Sequence, residues 1–153
     1  MPTYNLTKGA NRIPDIERRK LFVVGIPIVT ADIIAGNATL TANGKITAAD
    51  VIQLFDIPAD VVLLSTGACL ETVISGTAAN TLDIGIAGGD ELFDGVALDA
   101  AVGTMQVNLV SDDWGPDNVT GVSFTATDTL DFTFVADEII GSWILWLPGY
   151  ETS

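Results

Sequence analysis

The sequence predicts an all-β protein, a β-sandwich of jelly-roll type that follows an extended N-terminal arm. Short apolar or alternating segments recur along the chain, and Gly, Pro, Asn and Asp separate them at hairpin spacing. No long segment has the 3.6-residue period of an amphipathic helix. With 153 residues, of which 48% are hydrophobic, the chain is long enough for one domain whose core needs no disulfide.

Charge divides the chain into residues 1–20 and 21–153. The first part has five basic residues against two acidic ones, and the second has one basic residue, Lys45, against eighteen acidic ones. We expect the first part to be an arm outside the core of the single domain 21–153 that contacts an acidic neighbour, such as another copy. The alternative is an arm that folds back on its own domain. The basic residues expected at this interface are Lys8, Arg12, Arg18, Arg19 and Lys20.

The first half of the domain contains six predicted strands. They are Leu21–Val29, Ala38–Ala42, Val51–Ile57, Val61–Ser65, Leu70–Ser75 and Thr81–Ile86. Pro27 in the first strand indicates a bulge or an edge position, and Asn43-Gly44 after the second is a favoured hairpin turn. Thr47–Asp50 resembles a capping box, so one helical turn is the alternative to a strand that opens near Val51.

The second half contains four more predicted strands, and its last strand carries two tryptophans. The strands are Met105–Val110, Val119–Thr127, Leu130–Val135 and Ile139–Leu147. We expect a turn at Asp128-Thr129 and an end to the last strand at Pro148-Gly149. Trp143 and Trp146 are three residues apart, so on a strand they point to opposite faces. We expect one in the core and the other exposed or at an interface, and we take both as candidate interface residues.

Composition excludes several classes of function. The sequence has no histidine, which excludes Ser-His-Asp and Cys-His catalysis and histidine-containing zinc sites. The single cysteine, Cys69, is expected to be a buried apolar residue. An acidic domain repels nucleic-acid phosphates, and no apolar run approaches the roughly 20 residues of a membrane span. Paired carboxylates are the one alternative for catalysis. We predict no enzymatic activity, no cofactor, no nucleic acid and no membrane among its partners.

The loop 88–95 carries the best candidate metal ligands, which are Asp90, Glu91 and Asp94. Calcium prefers several carboxylate and carbonyl oxygens on a flexible loop. The loop lacks the order of acidic residues that defines an EF-hand, so a solvated loop without metal is the simpler interpretation.

Four motifs in the centre of the chain read DIPADVVLLSTG at 56–67, TLDIG at 81–85, GGD at 88–90 and FDG at 93–95. In these motifs the chain resembles small structural proteins of tailed-phage virions, over roughly residues 50–105. The resemblance implies a head decoration, or cement, protein without catalytic residues, commonly trimeric, that binds the major capsid protein on the capsid exterior. A carbohydrate-binding or adhesin-type β-sandwich module is the alternative, because its composition would be similar.

Overall fold

The computed structural model describes residues 3–5, 21–48, 50–64, 67–86, 90, 92–107 and 121–152. These residues form short β-strands and two short helices. The strands are β1 (Thr3–Asn5), β2 (Leu21–Val29), β3 (Val51–Ile57), β4 (Val61–Leu64), β5 (Cys69–Ile74), β6 (Thr81–Gly85), β7 (Phe93–Ala97), β8 (Met105–Val107), β9 (Gly121–Phe124), β10 (Asp128–Phe134) and β11 (Ser142–Glu151), and the helices are α1 (Thr30–Gly36) and α2 (Ala38–Asn43). Within the described part of the chain, neither helix could cross a membrane.

The strands form two antiparallel sheets. The larger has seven strands in the order β1-β2-β11-β4-β9, with β5 also paired to β11 and β8 paired to β5. The smaller has the order β3-β10-β6-β7. β11 organises the larger sheet, because β2 pairs with it on one side while β5 and then β4 pair with it on the other.

This strand order is that of a jelly roll. β4 and β5 pair with successive parts of β11 and therefore act as one interrupted strand. β9 pairs with β4 and β8 pairs with β5, so β8 and β9 also act as one interrupted strand. With the short β1 set aside, eight strands divide into the sheets β2-β11-β4/β5-β8/β9 and β3-β10-β6-β7. The predicted fold class is confirmed.

The core lies between the inner faces of the two sheets. Leu130, Phe132 and Phe134 alternate along β10 and are fully buried, as their spacing predicts. The largest fully buried side chains are Trp143, Phe132, Phe134, Ile26, Ile28, Ile46, Ile57, Leu63, Leu70, Leu82 and Ile84. Since they come from strands of both sheets, burying them fixes one sheet against the other.

The predicted strand at Ala38–Ala42 is wrong, because this segment forms α2. The side chain of Asn37 caps the helix by accepting hydrogen bonds from the backbone N–H groups of Thr39 and Leu40, at 2.9 and 3.3 Å. Gly44 ends the helix with a φ of +66°. The Asn-Gly pair therefore serves as a helix end, because the left-handed conformation that suits a hairpin turn also suits a helix C-terminus.

Other boundaries are partly as predicted. The strand that opens at Val51 is confirmed, and the preceding Thr47–Asp50 is a turn closed by a 3.0 Å backbone hydrogen bond. The predicted turn at Asp128-Thr129 is wrong, because β10 already begins there. The predicted end at Pro148-Gly149 is also wrong, since β2 and β4 both continue beside β11 and supply partners.

The N-terminal edge of the larger sheet carries the first described residues. Thr3–Asn5 pair with Phe22–Val24 of β2, so the arm touches its own domain at this edge. Because β1 is so short, Pro27 lies in a part of β2 that β1 does not cover, which fits the predicted edge position. Residues 6–20 lie outside the described residues, and the boundary at residue 20 stays a prediction.

Candidate protein interaction surface

The two sides of β11 differ in burial. Trp143, Leu145 and Leu147 point inward and have no exposed surface. The outward side chains are half-buried, and they are Ile144, Trp146, Pro148 and Tyr150. An apolar row on the side that does not contact the core is not required for folding, so this side is a candidate interaction surface.

Trp143 belongs to the core. It is fully buried, and its Nε1–H donates a hydrogen bond to the backbone carbonyl oxygen of Leu98 at 3.2 Å. A buried indole with a satisfied donor has no atom left for a partner. The candidate interface role of Trp143 is therefore corrected to core packing, and the two tryptophans divide between the two sides of the strand as their spacing predicts.

Trp146 has a fixed orientation on the outer side of β11. Its Nε1–H donates a hydrogen bond at 2.8 Å to a carboxylate oxygen of Glu71 on β5. Its ring lies over Gly25 on β2, where a Cβ atom would come within 2.9 Å of the ring. Glycine at position 25 thus lets the indole approach the sheet closely. A half-buried aromatic side chain held in this way loses little conformational freedom if a partner covers it.

Apolar side chains surround Trp146 over the outer face of the larger sheet, which we call the large-sheet face. Strand register places these residues on it: Leu21, Val23, Pro27, Ile144, Trp146, Pro148, Tyr150, Val62, Leu64, Cys69, Glu71, Val73, Met105 and Val107. Among these described positions Glu71 alone carries a charge. Val73, Met105 and Val107 are 41%, 55% and 51% exposed. Contiguous exposed apolar surface of this kind marks interaction sites.

Cys69 lies on the large-sheet face opposite Trp146 but is buried. Burial, and secondarily the neighbouring carboxylate of Glu71, raises the pKa of its thiol above the ordinary value. A thiol with a raised pKa is little ionised at neutral pH and therefore a weak nucleophile. The prediction of a buried apolar cysteine is confirmed.

The outer face of the smaller sheet, which we call the small-sheet face, is polar. Its outward residues include Gln53, Asp56, Thr81, Asp83, Asp94, Thr129, Asp131 and Thr133, together with the apolar Ala97 and Val51, of which Val51 is 47% exposed. Asp131 accepts hydrogen bonds from Gln53 and Thr129, at 3.2 and 2.9 Å, and Asp83 accepts one from the N–H of Gly95 at 2.8 Å. Asp131 is buried, so the solvent-accessible charge of this side comes from Asp56, Asp83 and Asp94, and these three carboxylates make it acidic.

A buried carboxylate, Glu138, lies in the connection between β10 and β11 and contacts the connection between β5 and β6. Glu138 is fully buried, and its backbone exchanges two hydrogen bonds with Ile46, each 2.9 Å long. The donors to its side chain are the backbone N–H groups of Thr77, Ile139 and Ile140, the hydroxyl of Thr77 and the side-chain amide of Asn80. Because neutral donors satisfy both oxygens, the carboxylate is stable in the interior as a structural group.

A groove of about 400 Å³ lies between the two helices and β3. Its walls include Ile33 and Leu40 from the helices and Ile52 and Leu54 from β3, and Asp32 is the one acidic residue among the described residues that line it. A single carboxylate without a second acid or a base does not form the pair that glycoside hydrolysis needs.

The remaining predicted site residues are not brought together in the described part of the chain. Lys8, Arg12, Arg18, Arg19, Lys20 and Glu91 lie outside the described residues. Asp90 and Asp94 are exposed, and no group of three or more potential ligands occurs among the residues that the structure describes. Calcium binding and the interface role of the basic residues stay predictions.

Sequence reasoning missed Gly25 and Glu71, which hold Trp146. The alternation in Leu70–Ser75 does place Glu71 on one side of its strand, but the pairing of β5 with β11 joins residues 75 positions apart. Strand pairing over such a distance follows from topology rather than from local pattern.

The fold has counterparts in phage capsids. The chain is similar to a chain in the capsid of Ralstonia phage GP4, with 17% identity and a TM-score of 0.52, over 87% of this chain and 84% of that one. It is also similar to a chain of the cyanophage Pam1 capsid asymmetric unit, with 17% identity and a TM-score of 0.53, over 99% of both chains. No family model and no curated protein matches the sequence. At this identity the likeness establishes a shared fold.

Proposed function

We propose that this chain is a non-enzymatic structural protein of a phage capsid, which decorates and stabilises the outside of the head shell. The observation that carries the proposal is the likeness in fold to a chain of the Pam1 capsid over 99% of both chains. The central motifs support it independently, because they resemble those of small virion proteins. A likeness that spans both chains from end to end suggests a common role better than a shared motif does.

The proposed partners are the major capsid protein and other copies of this chain. A homotrimer is the assembly that the resemblance implies. The large-sheet face offers the apolar contact area that stable protein interfaces use at their centre, whereas the acidic small-sheet face favours contact with water. We assign Trp146, and no longer Trp143, to the proposed interface.

We further propose that the basic arm strengthens the contacts between copies. Its five basic residues would lie near the eighteen acidic residues of a neighbouring domain. Replacing Lys8, Arg12 and Arg18 with Ala should weaken assembly on heads, and the loss should be largest at low salt because exposed charges are screened over about 10 Å at 0.1 M. Co-sedimentation with heads at low and high salt measures this. Equal salt dependence of the variant and the wild type would exclude an electrostatic role for the arm.

Protein identification in purified particles tests the main proposal. Virions of the phage that encodes the chain are purified on a density gradient, and their proteins are quantified by mass spectrometry against the major capsid protein. We expect the chain in a fixed ratio to the major capsid protein, and deletion of its gene should lower the heat resistance of the heads. Absence from virions, together with binding to a glycan array, would instead identify a carbohydrate-binding module.

A further inference from the structure

We propose that the large-sheet face, centred on Trp146, is the surface that lies against the shell, and that its occupant is an uncharged apolar patch of the shell-forming capsid protein. This inference rests on the proposed function and specifies which side of the molecule makes the contact. It also specifies the chemistry of the partner surface, because the residues on this face restrict what can cover them.

The two outer faces differ in polarity. A protein bound on a shell has one side against the shell and the opposite side in water. In the sandwich these sides are the two outer faces, of which one carries the solvent-accessible Asp56, Asp83 and Asp94, and the other carries Glu71 as its one charged residue among the described positions. Of the two, only the large-sheet face can be covered without desolvating several charges.

Glu71 disfavours a second copy of the chain as the occupant of this face. Two copies that met through their large-sheet faces would bring two Glu71 carboxylates into one apolar interface. The described positions of this face include no basic side chain that could pair with either carboxylate, and burying unpaired charges is costly. A different protein has no such restriction, since it brings no second carboxylate and can place a neutral hydrogen-bond donor at the edge of its apolar patch, opposite Glu71.

The large-sheet face also has an aromatic anchor whose orientation is already fixed. Trp146 is held by Glu71 and lies against Gly25, so its orientation is fixed without a partner. Tryptophan at the centre of an interface commonly contributes much of the binding energy, and surrounding apolar side chains exclude water from it. Val73, Met105 and Val107 are exposed and lie on the same face, where they can form this surrounding ring.

A matched pair of substitutions tests the inference. Val107 on β8 and Val51 on β3 are both exposed, by 51% and 47%, but they lie on the larger and the smaller sheet respectively. Purified full-length Val107→Glu and Val51→Glu proteins are titrated onto heads that lack the decoration protein, and bound protein is measured by co-sedimentation. Because the interface would have to bury the new carboxylate, we expect Val107→Glu to bind at least about tenfold more weakly than wild type. Val51→Glu should bind as wild type does.

Thermal unfolding and sedimentation in solution accompany the binding assay. Met105→Ser serves as a second, milder variant if Val107→Glu does not fold, and it should also weaken binding. If Val107→Glu, or Met105→Ser in its place, bound heads as tightly as Val51→Glu does, the inference would be overturned while the proposed function would stand. A variant on the large-sheet face that changes the oligomeric state in solution would assign the face to a second copy and would also overturn it. Failure of the wild-type protein to bind heads would count against the proposed function itself.

Discussion

The two outer faces of this sandwich have opposite character, although both belong to strands with the same alternating pattern. The small-sheet face carries Asp56, Asp83, Asp94 and Asp131, and the large-sheet face carries Glu71 as its charged residue among the positions described. Eighteen acidic residues in the domain would supply both faces if they were spread evenly. The uneven distribution is therefore a property of the molecule that needs a physical reason.

Folding does not supply that reason. A sandwich requires apolar residues only on the two inner faces, where Phe132 and Leu145 are fully buried. Outward positions are free to be polar, and solubility favours polar residues there. An apolar outer face thus carries information about contacts outside the chain, whereas a polar outer face is what any soluble sandwich would have. The difference in polarity between the two faces therefore indicates that the larger sheet is the one that contacts another molecule.

The largest expected effect separates the inner side of the larger sheet from its outer side. Trp143→Ala removes a fully buried side chain and should lower the free energy of unfolding by about 3–5 kcal/mol. Trp146→Ala, three residues away, removes a half-buried ring and should cost less stability while it weakens binding to heads. Urea unfolding and the head-binding assay measure the two quantities.

We therefore expect Trp143→Ala to lower the stability more, and Trp146→Ala to act mainly on binding to heads. Trp146→Phe is the control for packing, because it keeps an aromatic ring but loses the hydrogen bond to Glu71. If Trp146→Ala destabilised the protein as much as Trp143→Ala does, the two sides of β11 would both be structural, and the comparison of faces would lose its functional meaning.

A smaller effect is expected at the junction around Glu138, where hydrogen bonds join the connection between β10 and β11 to the connection between β5 and β6. Glu138→Gln puts an amide NH₂ in place of an oxygen that accepts hydrogen bonds, so at least one neighbouring donor loses its acceptor in the interior. We expect the free energy of unfolding to fall by about 1–3 kcal/mol. Asp56→Asn is the control, since it makes the same chemical change at an exposed position. Equal stability of the two variants would show that the junction does not contribute.

The sequence predicts the layer structure well because burial imposes period-2 alternation within each strand. Leu130, Phe132 and Phe134 could be assigned to the core from spacing alone, and so could the separation of Trp143 from Trp146. The segment 30–43 could not be predicted. Its β-branched and apolar residues also suit a strand, and the helix depends on the cap at Asn37 and on the end at Gly44.

The candidate surface was less predictable than the fold. Spacing assigns Trp146 and Glu71 each to one side of its own strand, but it does not show that the two side chains contact each other. Their contact requires β5 to pair with β11, and the same pairing brings β8 and its exposed Met105 onto the same face. Long-range pairing of this kind depends on the whole topology, which local patterns do not encode.

The smallest expected effect concerns the exposed ion pair between Lys45 and Asp137. The hydrogen bond from Lys45, followed by one from the backbone N–H of Ala48 at 3.0 Å, lowers the pKa of Asp137 below its ordinary value. A carboxyl whose pKa is lower in the folded state stabilises the fold above its unfolded pKa, and this contribution disappears as pH falls through the folded pKa.

Lys45→Ala should therefore raise the pKa of Asp137 towards its ordinary value, which NMR titration of the carboxyl carbon measures. Lys45→Arg should preserve the low pKa because it keeps the positive charge. The wild type and Lys45→Ala should differ little in stability at neutral pH, since exposed pairs contribute little, and not at all at strongly acidic pH. An unchanged pKa in Lys45→Ala would show that the backbone N–H of Ala48 holds the carboxylate by itself.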